Sequence, residues 1–309
     1  MSYPEIRPDS GRHRVSDQLQ LQSMVWPGLI FLLVFAYIPM YGVTIAFKEF
    51  NLMSTIQSAP WVGLSNFKEF FDDPALANTL RNTLFINGLA LIFAFTAPIV
   101  LALLMNEIKF NRFKRTAQTI SYLPHFLSWV IFGGIVLEML APGKLIGSLM
   151  HALGIFPEDI NLMAKGKYFY TIYTIISIIK SVGFASILYI AAITGIDQEM
   201  YEAAKVDGCN RLQKMWYVTL PSIAGVIVIM FIFQVSSILN TGYEQLLLLQ
   251  NPLNLAYSET IETYVYKTGI AQSRFSYATA VGVFISGISV LLMLTANGVS
   301  KKLLDRGLF

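Results

Sequence analysis

The chain has 309 residues, of which 55% are hydrophobic and only 13% charged, with a formal net charge of +3. A soluble domain of this length carries about 25% charged residues, and long stretches here hold none, which excludes a water-soluble globular class. The small net charge argues against a nucleic-acid partner, and the single Cys209 and three scattered histidines, His13, His125 and His151, exclude an internal disulfide, a cysteine-based cluster and an HExxH site.

In chain order, the first residues through about Gln20 are polar and read as a loose tail, so 1–22 is set apart as an N-terminal tail. Six stretches then reach the ~20 residues that a membrane-crossing helix needs. They are Ser23–Phe47, Asn82–Met105, Ala117–Leu137, Phe169–Gly195, Tyr217–Leu239 and Tyr277–Val299. The first exceeds the ~7–15 apolar residues of a signal peptide and ends in no small-x-small cleavage site, so it is read as a retained span. Five spans carry no charged side chain, and the fourth carries only Lys180. The fold class is therefore an all-α polytopic membrane protein, with a transmembrane domain over 23–300 and a tail over 301–309.

Basic residues orient it. With the N-terminus inside, the inner segments hold thirteen: Arg7, Arg12, Arg14, Lys109, Arg112, Lys114, Arg115, Lys205, Arg211, Lys214, Lys301, Lys302 and Arg306. The outer segments hold eight, from Lys48 to Arg274, and the compact 106–116 loop alone holds four of the thirteen. Both termini are expected in the cytoplasm. Pro27, Pro39, Pro98, Pro124 and Pro221 each remove a donor inside or beside a span, and Ala278, Gly282 and Ser286 form a small-residue face suited to packing.

The loop between spans four and five, 196–220, is the most specific feature. It reads Tyr201-Glu202-Ala203-Ala204-Lys205-Val206-Asp207-Gly208, followed after nine intervening residues by Val218-Thr219-Leu220-Pro221. Glu-Ala-Ala favours helix, Gly208 can adopt the left-handed conformation that stops it, and Pro221 falls near the start of the next span. A short inner-face helix results, with Glu202 free to meet a partner.

This pattern, EAA-x3-G-x9-[IV]-x-LP, resembles the signature of the transmembrane subunits of bacterial ATP-binding-cassette importers, and every fixed position matches. Trp61–Phe67, Tyr122–Val130, Ile261–Gly269 and the ending Arg306–Phe309 are similar to the carbohydrate branch, particularly the alginate- and pectin-fragment-type oligosaccharide permeases. The resemblance implies a type I importer permease fold in a bacterial cytoplasmic membrane. Glu202, Ala203, Ala204, Asp207, Gly208, Leu220 and Pro221 would form a coupling helix lying in a groove on the ATPase. It further implies a second, non-identical permease subunit, an ABC ATPase dimer and an extracytoplasmic solute-binding protein, with oligosaccharide as the solute and lipid around the spans.

No Walker A loop is present: Gly143-Lys144 and Gly166-Lys167 lack the upstream glycine and the following Ser/Thr. ATP and Mg2+ are therefore expected on the partner ATPase, with no cofactor on this chain and no enzymatic activity of its own. Substrate-path candidates are the helically spaced Tyr173, Ser177, Lys180 and Phe184 in span four, and Gln234, Ser237, Asn240 and Thr241 at span five. A charge in mid-span faces protein or a water-filled cavity, whereas Ser, Thr and Gln also bond across helices for packing alone. Tyr122, His125 and Trp129 form a similar stripe in span three, and for His125 a structural hydrogen bond is expected. A secondary transporter would need acidic coupling-ion ligands that no span contains, and an intramembrane hydrolase would need a G-x-S-x-G or paired carboxylates that are absent.

Overall fold

The computed structural model describes residues 11–154 and 161–304; Arg7, Arg306 and the Arg306–Phe309 ending lie outside the described residues. Among the described residues the chain is helical, with one isolated bridge between Lys48 and Trp61 and no strand. Five helical segments are long and apolar enough to cross a membrane: Gln18–Phe47, Leu76–Asn106, Trp129–Ala152, Gly166–Thr194 and Phe275–Lys302. The pair Arg211–Ser222 and Ala224–Ser236, bent by 66°, is a sixth crossing when taken as one broken span.

The first crossing opens as α1 (Gly11–Leu32), so the segment expected to be a loose tail is helical from Gly11. It continues through a wide π turn, Leu33–Tyr37, into a tight 3-10 stretch, Ile38–Phe47. Helix α2 (Ser65–Asp72) leads to the second crossing, α3 (Leu76–Leu89) and α4 (Thr96–Asn106), joined by a π turn at Ala90–Ala94. Helix α5 (Asn111–Phe126) leads into the third, α6 (Trp129–Leu140) and α7 (Leu145–Ala152). Helix α8 (Phe169–Thr194) descends unbroken to α9 (Gln198–Val206). The fifth crossing comprises α10 (Arg211–Lys214), a π turn at Met215–Thr219, α11 (Leu220–Ser222) and α12 (Ala224–Ser236). Short helices α13 (Tyr243–Leu249), α14 (Leu255–Ser258) and α15 (Ile261–Tyr266) precede the last crossing, α16 (Phe275–Leu304).

Proline explains where these rods deform. A proline at position i cannot donate to carbonyl i−4, and its ring collides with it. For Pro39, Pro98 and Pro221 the i−4 residues are Phe35, Ala94 and Tyr217, and each lies inside one of the three π turns just named. The wider turn moves the unpaired carbonyl off the ring. Two expectations need correction on this account. The span expected at Ala117–Leu137 is interrupted at Leu127–Ser128, just past Pro124, and the apolar crossing there is Trp129–Ala152. The span expected at Tyr217–Leu239 is bent at Ile223, two residues beyond Pro221.

One end of the bundle is an interlocked polar cap. Asn82 Nδ2 donates to the carbonyls of Ala256 (3.1 Å) and Glu259 (2.8 Å), while Asn82 Oδ1 accepts from Tyr170 Oη at 2.6 Å. The Ile261 amide donates to Thr83 Oγ1, and Asn254 Nδ2 donates to the Met163 and Leu249 carbonyls. Asn82, Asn254, Ser258, Thr260 and Thr263 are wholly buried, and every one is hydrogen-bonded, as a low-dielectric interior demands. Asn66 closes the first crossing by donating to the Ala46 and Lys48 carbonyls, and Lys48 lies 4.8 Å from the Trp61 ring centre. Beside them, Asp73 accepts from Tyr264 Oη (2.6 Å), Tyr277 Oη (2.7 Å) and the Ala75 amide (2.9 Å). Burial raises the Asp73 pKa, but these bonds and the Arg274 charge outweigh it and hold the carboxyl below its ordinary value.

Close helix approach occurs at Gly183 and, on the small face of α16, at Ala278, which leaves room only for a glycine at Gly269. A Cβ on Gly183 would sit 2.0 Å from the Ser121 carbonyl oxygen, so α8 rides directly on the α5 backbone. Gly282 has nothing within 4 Å of the corresponding position, and Ser286 is exposed.

Candidate functional site

At the end of the bundle opposite the polar cap, α9 is built as a free-standing helix. Asp197 caps its start by accepting from the Glu199 amide (3.0 Å), and Glu199 lies in the first turn, where a negative charge suits the helix dipole. Its end is a Schellman motif: the Cys209 amide donates to the Ala204 carbonyl (2.9 Å) and the Gly208 amide to the Lys205 carbonyl (3.2 Å). Gly208 stands at φ +75°, the left-handed conformation expected of it. Asn210 then opens α10 with a capping box to Gln213.

The two alanines have different jobs. Ala204 is buried against the bundle beneath Tyr201, which packs on a cluster of Ile99, Ala102, Tyr189, Ile193, Ile196 and Ile223. Glu202 and Ala203 are exposed on the outer face, beside the exposed Met200 and Val206. A small residue on each face allows close approach on both sides. Leu220 packs on the same cluster and Pro221 deforms the rod, so these two positions shape the fifth crossing rather than touch the outer face. Asp207 is exposed and follows the last helical turn.

The span candidates divide into two groups. Lys180 is buried, and its Nζ donates to the carbonyls of Pro124 (3.1 Å), His125 (3.2 Å) and Leu127 (2.5 Å). It also lies 5.0 Å from the Trp129 ring centre and 5.6 Å from that of Phe132. The break between α5 and α6 frees those carbonyls, and the ammonium caps them, so Lys180 faces protein and not an open path. Tyr173 Oη donates to the Thr241 carbonyl (2.8 Å), and Ser177 accepts from Gln245 while donating to the Tyr173 carbonyl. Thr241 is held by Glu262, whose Oε2 accepts from the Thr241 amide (2.8 Å), its Oγ1 (3.1 Å) and the Gly242 amide (2.7 Å).

Phe184, Gln234 and Ser237 form the second group. They line one cavity of about 370 Å³, together with Phe95, Tyr189 and Phe233. Asn240 is exposed, and its amide donates to the Ser237 carbonyl. His125 departs from the expected structural hydrogen bond: its ring stacks on Phe184, centre to centre 3.9 Å and parallel. Gln245 and Glu262 were not singled out in the sequence, since both stand outside the spans where helical spacing is informative. The carboxylate flanked by Thr260 and Thr263 in a capping box was the available signal.

Residues 94–308 match the family described as binding-protein-dependent transport system inner membrane component. Polygalacturonan/rhamnogalacturonan transport system permease protein YteP of Bacillus subtilis (strain 168) is 40% identical over 297 residues, 96% of this chain and 92% of that protein. Protein LplB of the same organism is 41% identical over 291 residues, covering 94% and 91%. A chain in the crystal structure of a bacterial alginate ABC transporter, in complex with its alginate pentasaccharide-bound periplasmic protein, superposes with a TM-score of 0.85. It shares 33% identity, covering 96% of this chain and 99% of that one.

Proposed function

This chain belongs to the binding-protein-dependent transport system inner membrane components, and from that premise we propose that it is one of two pore subunits of an ATP-driven oligosaccharide importer. The observation that carries the reading is α9, a rigidly capped helix with Glu202 and Ala203 on its free face, at the end of the bundle away from the polar cap. Such a helix fits a groove on a partner, the ordinary means of passing motion between subunits.

In this reading α9 and both termini face the cytoplasm, as the basic residues favour. The partners are an ABC ATPase dimer carrying ATP and Mg2+, a second permease, and a solute-binding protein that meets the polar cap. ATP-driven movement of the groove carries α9 with it, and the pore alternates between inward- and outward-facing states. Phe184, Gln234 and Ser237, with His125 stacked on Phe184, are proposed as this chain's contribution to the sugar path, with Asn240 at its rim. Aromatic faces with a few polar groups suit sugar rings. Tyr173, Ser177, Lys180 and Thr241 are proposed to hold that wall in place. The names of relatives support a polysaccharide-derived solute; Lys180, with its donors engaged, gives no support for an acidic one.

The test is the assembled complex with Glu202→Ala. Assembly or binding-protein-stimulated ATP hydrolysis should fall at least tenfold, and wild-type values for both would refute the role of the helix. Vesicle uptake comparing oligogalacturonides with maltooligosaccharides decides the solute class.

A further inference from the structure

The covalent path from α9 to the fifth crossing is a solvent-exposed turn and a short helix. It runs through Asp207, Gly208 at positive φ, and the exposed Asn210, Arg211, Leu212 and Gln213. The ion pair that braces it, Arg211 to Glu107, spans 4.0 Å between partly solvated side chains, and such pairs hold little. Motion imposed on α9 would dissipate in this linker unless a second connection bypassed it.

That connection is present. Tyr201 Oη lies 2.9 Å from Thr219 Oγ1, eighteen residues along the chain, and Thr219 is buried. The Thr219 hydroxyl is directed at the Lys214 carbonyl at 3.3 Å, which leaves Tyr201 as the donor. Lys214 and Thr219 bracket the π turn at Met215–Thr219, and the 66° bend follows at Ile223. A single hydroxyl chain, Tyr201 to Thr219 to the Lys214 carbonyl, thus ties the inner face of α9 to both ends of the turn that sets the direction of α12.

We propose that Tyr201 is the positioning residue for coupling: its hydroxyl makes α9 and the base of the fifth crossing move as one body, so that displacement of α9 is delivered at the Ile223 bend. The inference rests on the coupling reading above and adds the route by which motion leaves the helix. Neither hydroxyl needs to touch the ATPase or the sugar.

The experiment uses the whole complex, with its ATPase, second permease and a binding protein loaded with oligogalacturonides, and reads how many-fold the binding protein stimulates ATP hydrolysis. Tyr201→Phe and Thr219→Val each keep shape and packing and should lower the stimulation about fivefold, the size of one buried hydrogen bond. The double variant should be no worse than either single, since the two share one interaction. Thr219→Ser keeps the hydroxyl and should retain most of the stimulation, and KM for ATP should stay put in all four. Wild-type stimulation in Tyr201→Phe overturns the inference, as does equal loss in Thr219→Ser and Thr219→Val. Should Tyr201→Phe fail to assemble, the Ser–Val contrast at 219 decides alone. A wild-type complex that shows no stimulation with a binding protein loaded with either oligogalacturonides or maltooligosaccharides refutes the importer reading itself, a result separate from any difference among variants.

Discussion

Replacing Lys180 by Met tests whether the mid-span charge braces the fold or meets the solute. Methionine matches the length of the stem and removes the ammonium. Three carbonyls at the break between α5 and α6 lose the ammonium, that of Pro124 keeping the Leu127 amide, at about 0.6–1.7 kcal/mol for each hydrogen bond inside a membrane protein. The stacking with Trp129 and Phe132 is lost as well, about 0.5–2 kcal/mol. Part is returned because a buried charge no longer has to be desolvated, so the net loss should be about 2–3 kcal/mol. In a chain of this size that lowers the apparent Tm by about 5–10 °C. Lys180→Gln, with two donors left, should fall between. The assay is thermal unfolding of the purified complex in parallel with uptake of acidic and neutral oligosaccharides. If Lys180→Met is as stable as wild type while uptake of acidic sugars alone collapses, the ammonium faces the solute and the bracing argument is wrong.

Gly183→Ala drives a methyl into the Ser121 backbone and should destabilise the complex by about 1–3 kcal/mol, whereas Gly282→Ala, facing open space, should be neutral; thermal melts of both decide it. Gly208→Ala has room but must hold φ +75°, so it should weaken the end of α9 by about 1 kcal/mol and reduce stimulated ATP hydrolysis, with Gly208→Asn milder. Asp73, held below the ordinary carboxyl value by its three hydrogen bonds and Arg274, contributes stability that is present above its unfolded pKa and lost as pH falls through the lower folded one. Wild-type stability should therefore drop below about pH 4, and Asp73→Asn should lack that step in an acid-melt series.

The number of crossings and the coupling helix were legible because they rest on local rules. Apolar length set the spans, and Glu-Ala-Ala with a glycine four residues on set the helix and its stop. The deformations were half legible. Prolines at 39, 98, 124 and 221 marked where rods would give, but not how: three π turns and one outright break depend on whether a neighbour can take up the freed carbonyls, and Lys180 does so from another helix. The same long-range pairing divides the path candidates. Helical spacing put Tyr173, Ser177, Lys180 and Phe184 on one face correctly, yet only Phe184 lines the cavity, because Thr241, Gln245 and the third crossing occupy the rest. Spacing says which residues share a side; it says nothing of what already stands against it.

The polar cap also sets a clock on synthesis. Asn82 and Thr83 enter the membrane region early, but their partners at Ala256, Glu259 and Ile261 emerge more than 170 residues later. At about 5–20 residues per second, translation leaves those groups waiting about ten to thirty seconds. Throughout that interval the nascent chain displays the unpaired Asn82 amide, which a membrane chaperone or protease can read. A ribosome that stalls before residue 256 therefore yields a product marked for removal, and only a chain carried nearly to its end conceals the mark.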